Sequence, residues 1–403
     1  IMKTVTLDSP DLSQIYFDKN CNLIKHSGII NDYYICHRPC SRIASPFIGC
    51  LDIHSKDYER KKLISNYGHV GGGWTMNFAS AEKAIQYIDI DEIIKNKEKI
   101  AVIGSGIISF TTISLLIEKG VEPSSITIYT KSLDLKDSAA FGSGAIFSCQ
   151  VRDPCVRPDF DDLILDSFKK WKSFKDKKDD KSRFPWHKLT DHYYLIDFYT
   201  GAEKEVGLID SNSGLDSVIQ AGLVPPIEYV YVTFKNSSVK HKCKKIRTYL
   251  FNTFNLLYNF QDSLCELGVN FVQKTINDPA NQIEENIIFA CAGAGIRNLH
   301  PAFKEAAFGL TGHMIYTNEL KEDKKKNLDY ILLSKYKETK DSETKYFVYM
   351  PKKGLSRTGV IGSSKIPEYY GGNKELDREN YRDIVERARA IYGQNYPTPK
   401  PKF

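Results

Sequence analysis

The sequence predicts an α/β fold in two parts: a Rossmann-like domain on a parallel sheet, and a second domain of mixed, mainly antiparallel sheet with helices. Three observations carry this prediction. The run IAVI at 100–103 is short, apolar and continuous, as a strand covered on both faces must be. It passes through the turn GSG (104–106) into the helical pattern FTTISLLIEKG and then a second apolar run, ITIY (126–129), so strand, glycine turn, helix and strand fall within about thirty residues. Downstream, TKYFVYMP (344–351) and GVIGSS (359–364) read as strands of an antiparallel region, followed by the amphipathic helix DRENYRDIVERARAIYG (377–393).

With 403 residues the chain has room for two domains. A composition of 41% hydrophobic and 26% charged residues is that of a globular chain and excludes a disordered one. The net charge of +6 is spread over many lysines with no aromatic-interleaved basic stripe, so nucleic acid is not an expected partner. Nine cysteines (21, 36, 40, 50, 149, 155, 243, 265, 291), odd in number and without a repeated CxxC, fit a reducing compartment. Cys36, His37 and Cys40 lie close together, but no second His/Cys pair follows at zinc-like spacing, and no metal is expected. No apolar run reaches transmembrane length, and the opening IMKTVTLDSPDLSQ lacks a signal-peptide core. A soluble, cytoplasmic protein with no membrane contact is therefore the expectation.

Other elements follow from spacing. Phe110, Ile113, Leu116 and Ile117 form one helical face that stops at Gly120. Thr248–Gly268 carries Leu250, Phe254, Leu257, Phe260 and Leu264 on one face and predicts a long helix. VNFVQK (269–274) and ENIIFACAGAG (285–295) read as further parallel strands, the second ending in a glycine turn. Between 147 and 247 the text is more polar, aromatic and irregular, and the charge run at 169–183 reads as a solvated helix end and loop.

In the fingerprint, Gly104 permits the tight turn and Gly106 lets a pyrophosphate approach the backbone, while the helix start supplies positive potential. Gly104, Ser105, Gly106, Ile107 and Ile108 are the expected contacts, with Ser109 where the pattern has its third glycine. The acid that grips a ribose at the end of the second strand is missing: Tyr129, Thr130 and Lys131 stand there, with Asp134 beyond. Either Asp134 or Thr130 takes the ribose, or Lys131 meets a phosphate, as would suit NADP.

A second glycine motif precedes the first. Asn66 to Thr75 (NYGHVGGGWT), leading into FASAEKAIQYI, resembles the C-terminal flavin-binding segment of the D-amino acid oxidase family, and Tyr34 with Arg38-Pro39 (YICHRP) resembles the family's Tyr…Arg-Pro segment. In that family both lie at the end of the chain; here they come before the fingerprint. DSAAFGSGA (137–145), GVNFVQK, IIFACAGAG, FGLTGHMIY (308–316) and the 344–364 strands with their helix then resemble the family in its usual order. The sequence thus resembles a circular permutation, with the usual start near Lys99 and new ends just upstream of YICHRP, which is tolerable where termini are close on the surface.

The resemblance implies a GR2-type FAD-binding domain from 36–150 and 245–305 and a substrate-binding domain from 1–35, 151–244 and 306–403. It implies non-covalent FAD held additionally by Val70, Gly72, Gly73, Trp74, Thr75, Thr130, Lys131, Ser138, Ala139, Ala140, Phe141, Gly142, Gln273, Thr275, Ala292 and Gly293. Glycines at 71–73 let the main chain approach a flavin without Cβ clashes, and His69 reads as a structural residue rather than a covalent anchor. Arg38 would bind a substrate carboxylate bidentately, the Gly71 carbonyl would accept from the substrate amine, and Tyr34, Tyr346 and Tyr349 are the substrate-side tyrosines. The implied reaction is oxidation of an amine beside a carboxylate to an imine and then a keto acid, with release of ammonia and formation of hydrogen peroxide from molecular oxygen. A sister oxidase of glycine or sarcosine type, an NAD(P)-dependent dehydrogenase and a flavin-binding module without turnover are the alternatives. A homodimer is compatible with each.

Overall fold

The computed structural model describes residues 2–10, 12, 16–17, 23–24, 30–148, 156–176, 184, 190–201, 215–318, 328–337, 345–351, 357–364, 366–369 and 372–394. A six-stranded sheet has the order Asn270–Gln273, Ile126–Thr130, Ile100–Ile103, Ile287–Ala290, Arg60–Tyr67, Phe47–His54. The pairings are parallel except that of Phe47–His54 with Arg60–Tyr67. All four residues of Ile100–Ile103 are buried, because both faces are covered. Ile100 and Val102 share a core with the helices Gly73–Ile85 and Ile107–Glu118, whereas Ala101 and Ile103 share another with Ile296, Leu299 and Phe303. The α/β reading of 100–130 holds, as do the parallel strands near 270 and 287.

The larger sheet has ten strands. Their order is Thr4–Leu7, Glu228–Phe234, Lys240–Phe251, Thr190–Gly201, Tyr330–Lys337, Lys345–Pro351, Arg357–Gly362, Ala307–Asn318 and Ile366–Pro367, with Ile30–Ser41 also paired to Ala307–Asn318. Two pairings are parallel, Thr4–Leu7 with Glu228–Phe234 and Thr190–Gly201 with Tyr330–Lys337; the others are antiparallel. Strand alternation gives this sheet two faces. Met314, Tyr316, Val348, Met350 and Val360 join the core that also holds Ile100, Phe110, Phe141 and Phe254. Ile315, Phe347, Tyr349 and Ile361 join the core closed by Tyr381, Ile384, Val385 and Ala388 of the helix Lys374–Tyr392.

Two expectations change. The helix expected from Thr248 begins at Thr253, and residues 248–251 finish the strand Lys240–Phe251. Asn252 marks the boundary as an N-cap, its side chain accepting from Asn255 N–H. The irregular stretch between 147 and 247 contains the helix Phe160–Asp176 and most of three strands of the larger sheet; residues 177–183 of the charge run lie outside the described residues. The Arg38 strand, Ile30–Ser41, is hydrogen-bonded in the larger sheet, as are residues 245–251. Beyond the last helix, Gln394 donates to Ser9 Oγ (3.0 Å) and the Pro10 carbonyl (2.9 Å) and accepts from Leu12 N–H (3.3 Å). Among the described residues no helix is long and apolar enough to cross a membrane.

Candidate functional site

The fingerprint turn is built by close packing on one side and openness on the other. Gly104 has φ +113°, and a Cβ there would lie 2.7 Å from the Cys291 carbonyl oxygen. This position therefore admits only glycine, and it brings the 291–293 turn against the 104–106 turn. A Cβ at Gly106, by contrast, would meet nothing within 4 Å. The helix Ile107–Glu118 starts there with no side-chain cap and no acid in its first turn. Its first N–H groups and dipole therefore present an anion site with space in front, which a pyrophosphate fits. The helix Gly73–Ile85, whose N-cap is Gly72, also has no side-chain cap and no acid in its first turn. The two starts are neighbours, since a Cβ on Gly73 would lie 3.8 Å from Ile107 Cγ2.

At the end of the second strand the residues standing where the ribose acid is expected are engaged within the protein. Thr130 Oγ1 is paired with Ser105 Oγ at 2.9 Å and donates to the Ser132 carbonyl at 2.8 Å. Asp134 accepts from Lys136 N–H and caps the turn Leu135–Asp137. Lys131 is exposed, and its carbonyl accepts from Gln273 Nε2 at 3.4 Å. Gln273 and Thr275 are exposed at this edge, while Ala292 and Gly293 are half-buried.

The two early motifs touch. Val70 N–H donates to the Pro39 carbonyl at 3.0 Å, and a Cβ on Gly68 would lie 3.1 Å from Ser41 Cβ. Gly71, at φ +86°, leaves room for the Arg38 side chain, whose Cδ would sit 3.0 Å from a Cβ there. Gly312, from the neighbouring strand, does the same on the guanidinium: a Cβ would lie 2.5 Å from Nη2 and 2.7 Å from Nη1. Arg38 is thus seated between two glycines, only one of which the motif pattern marks. Nη2 donates to Ser363 Oγ (2.6 Å) and Nη1 to the Ser364 carbonyl (3.2 Å). No carboxylate among the described residues pairs with it, and burial pulls its pKa below the ordinary arginine value, opposed by the Cys36 and Cys40 thiols. A guanidinium has five N–H donors in a planar fork. Held here by two neutral oxygens, it is set to take an anion.

The 138–144 loop closes the other side. Cys36 Sγ donates to the Gly142 carbonyl at 2.9 Å, and Trp74 Nε1 donates to the Ala140 carbonyl at 3.2 Å. Burial pushes the Cys36 thiol up to about 11, with Arg38 opposing, so it stays a thiol. Phe141 is buried with its ring centroid 4.4 Å from that of Phe254. Ser138, Ala139 and Ala140 are half-buried or exposed. Trp74 and Thr75 are interior residues: Trp74 stacks on Phe251 (5.4 Å), and Thr75 Oγ1 donates to the Ser148 carbonyl (3.0 Å) and accepts from Ser148 N–H (3.2 Å). Val70 is buried as well. His69 is buried against Ser80 Oγ (3.0 Å), and burial pulls its pKa to about 3, so the ring is neutral at physiological pH.

Of the three tyrosines, Tyr346 lies half-buried on the face shared with the six-stranded sheet. Tyr349 is fully buried on the opposite face against Tyr330 (5.4 Å). Tyr34 pairs through its backbone with Met314; its side chain lies outside the described residues. The structure therefore brings Arg38, Gly71–Gly73, Gly104–Ile108 and Ala139–Gly142 together and leaves Tyr349 apart. Sequence reasoning missed Gly312, Ser363 and Ser364, although GVIGSS reads as a strand and FGLTGHMIY as a segment that resembles the family. The cysteine–histidine cluster disperses, with Cys40 Sγ turned to the Arg38 carbonyl and His37 Nδ1 to Thr311 Oγ1 (2.9 Å).

A Rossmann-like sheet with a glycine-turn anion site, joined to a mixed sheet that carries a half-buried arginine, is the class that fold and site define. Among solved structures this fold is that of fructosyl peptide oxidase. A thermally stable mutant of that enzyme superposes with TM-score 0.50 at 15% identity, over 73% of this chain and 76% of that one. Glycine oxidase from Bacillus cereus ATCC 14579 (TM-score 0.49, 14% identity, 73% and 78% covered) and iminodiacetate oxidase from Chelativorans sp. BNC1 (0.49, 10%, 73% and 79%) are also similar. The likeness to the D-amino acid oxidase family read from the motifs holds at the level of the fold. No family model and no curated protein matches the chain.

Proposed function

We propose that this chain is an FAD-dependent oxidoreductase that oxidises an amine beside a carboxylate, in the manner of a D-amino acid oxidase. The observation that carries the reading is the Arg38 guanidinium, without a carboxylate partner among the described residues and seated between Gly71 and Gly312 next to two uncapped helix starts. Gly106, Ile107 and Ile108 would hold the pyrophosphate through backbone N–H groups, with Gly104, Ser105, Ala292 and Gly293 shaping the turn. Thr130, Lys131, Gln273 and Thr275 would border the adenosine. Gly72, Gly73 and Ser138–Gly142 would line the ring system, while Val70, Trp74 and Thr75 fix these loops from the interior.

Bound there without a covalent link, FAD would supply the two-electron acceptor for the C–H bond next to the amine, with oxygen as the final acceptor. Arg38 would fix the substrate by a bidentate carboxylate contact, so positioning does most of the work. The Gly71 carbonyl would orient the amine, and Tyr346 would stand on the same face of the sheet. The imine would be hydrolysed to a keto acid and ammonia. The domain division proposed is an FAD-binding unit within 36–150 and 245–305 and a substrate unit from the rest. Residues 36–41 and 245–251 serve the latter's sheet.

The test is the visible spectrum of the purified protein after incubation with FAD, followed by an anaerobic panel of D-amino acids, glycine and sarcosine. A retained flavin band that bleaches with one of them is expected. A protein that retains no flavin would sink the reading and favour a nicotinamide cofactor, for which the exposed Lys131 and the absent ribose acid are the specific support. Retention without bleaching by any amine would leave a binding module.

We also propose that the motif order reflects a circular permutation. Strand Arg60–Tyr67 and fingerprint strand Ile100–Ile103 flank the same partner, Ile287–Ala290, and Gln394 is hydrogen-bonded to residues 9–12. A chain restarted at Lys99, with residue 403 joined to residue 1 by a short linker, is expected to fold and retain FAD as the parent does. Failure to fold would count against the permutation.

A further inference from the structure

The 363–364 turn that grips Arg38 is itself held by a relay crossing the large sheet. His313 is fully buried on the strand Ala307–Asn318. Its Nε2 lies 2.8 Å from Asp377 Oδ1 and its Nδ1 2.6 Å from Ser364 Oγ. Asp377 sits in the first turn of the helix Lys374–Tyr392, where a carboxylate is favoured by the helix dipole, and also accepts from Tyr369 Oη at 2.8 Å. The chemistry fixes the tautomer: the carboxylate can only accept, so Nε2 carries the proton and Nδ1 accepts the Ser364 hydroxyl. That hydroxyl also accepts from His313 N–H (3.0 Å), so its direction is locked. On the other face the Ser364 carbonyl accepts from Arg38 Nη1 and from Ser363 Oγ (2.9 Å), and Ser363 Oγ accepts from Arg38 Nη2. Burial lowers the His313 pKa, the Asp377 contact opposes this, and the Arg38 charge adds to the lowering. Ser364 is only 9% exposed and His313 is fully buried, and the three side chains are engaged with one another.

We infer that His313, held between Asp377 and Ser364, is a positioning residue that aims the Arg38 guanidinium at its anionic ligand. This rests on the reading of Arg38 as a carboxylate clamp. The three residues lie on three different elements, so the aim of the arginine depends on the helix Lys374–Tyr392 being seated against the sheet. Removing one member leaves Arg38 charged and present but lets its turn relax.

Propionate titrated into the FAD-loaded protein, followed by the flavin band, tests the inference. Asp377→Asn and Ser364→Ala are each expected to weaken propionate binding roughly tenfold, the size of one buried hydrogen bond, with FAD content unchanged. The double variant is expected to be no weaker than the poorer single, because both act through His313. In the unaltered protein, the imidazole nitrogen resonances of His313 should shift when propionate binds, a change that a purely structural histidine would not show. Unchanged affinity, additive losses or unmoved resonances overturn the inference. If Asp377→Asn does not fold, Ser364→Ala and the resonances still decide. If the unaltered protein does not bind propionate, or Arg38→Met binds it equally well, the clamp reading has failed and the relay's role falls with it.

Discussion

Arg38→Met is expected to lower kcat/KM for a carboxylate-bearing amine by roughly a thousandfold, about 4 kcal/mol of transition-state stabilisation, in the range found when one partner of a buried charge pair is removed. The size follows from the setting. Among the described residues the guanidinium has Ser363 Oγ and the Ser364 carbonyl as neutral partners and no carboxylate, so an incoming carboxylate meets a partly desolvated, preorganised cation. Methionine keeps an unbranched apolar stem in the slot between Gly71 and Gly312, which limits repacking. Ser363 Oγ loses its donor, a stability cost of about 1–3 kcal/mol, whereas the Ser364 carbonyl still accepts from Ser363 Oγ. Arg38→Lys keeps the charge but not the fork and is expected to recover only part of the activity. Steady-state kinetics on both variants check this; turnover of Arg38→Met equal to that of the parent would remove the arginine from the site.

Gly104→Ala is expected to cost about 2–4 kcal/mol of stability and most of the cofactor affinity. Two effects add. The backbone at φ +113° is one that a residue with a Cβ adopts at a cost of about 1–2 kcal/mol. The new Cβ would also sit 2.7 Å from the Cys291 carbonyl oxygen, a main-chain atom of the adjacent buried strand end that has no rotamer by which to yield. Gly106→Ala is the internal control, since its Cβ would enter open space. That variant should melt as the parent does, and any loss of FAD from it reports on crowding at the pyrophosphate. Denaturant midpoints with and without FAD separate the two; equal midpoints for Gly104→Ala and the parent would contradict the account.

The dinucleotide half was legible because its signals are local. A buried strand, a glycine turn and a largely buried apolar helix announce themselves within a few turns of chain, as does the amphipathic helix Lys374–Tyr392. The false helix start at Thr248 arose where a strand end, Tyr249–Phe251, carries apolar residues at spacings that also suit a helix. Only the capping side chain of Asn252 marks the change of period. The large sheet was poorly legible from residues 190–251, although Glu228–Phe234 alternates buried and less buried positions along most of its length. At the site, motif matching reached Arg38 and the glycines of its own loop but not Gly312, Ser363 or Ser364. Those are set by strand register: Arg38 lies opposite Leu310 in one pairing, and Met314 opposite Gly362 in another. Tyr349 illustrates the same limit, since one step along a strand decides whether a side chain faces the site or the far core.

The interior shared by the two sheets bears on how such a protein could be altered. Met314, Tyr316, Met350 and Val360 from one sheet lie in the same apolar cluster as Ile100, Phe110 and Phe141 around the other. The half that carries Arg38 is therefore not an exchangeable module. On the proposed function, grafting another half onto the six-stranded sheet would require redesigning a common interior, so a new specificity would be more readily sought in the residues around Gly71, Gly312 and Ser363 than in the exchange of whole halves.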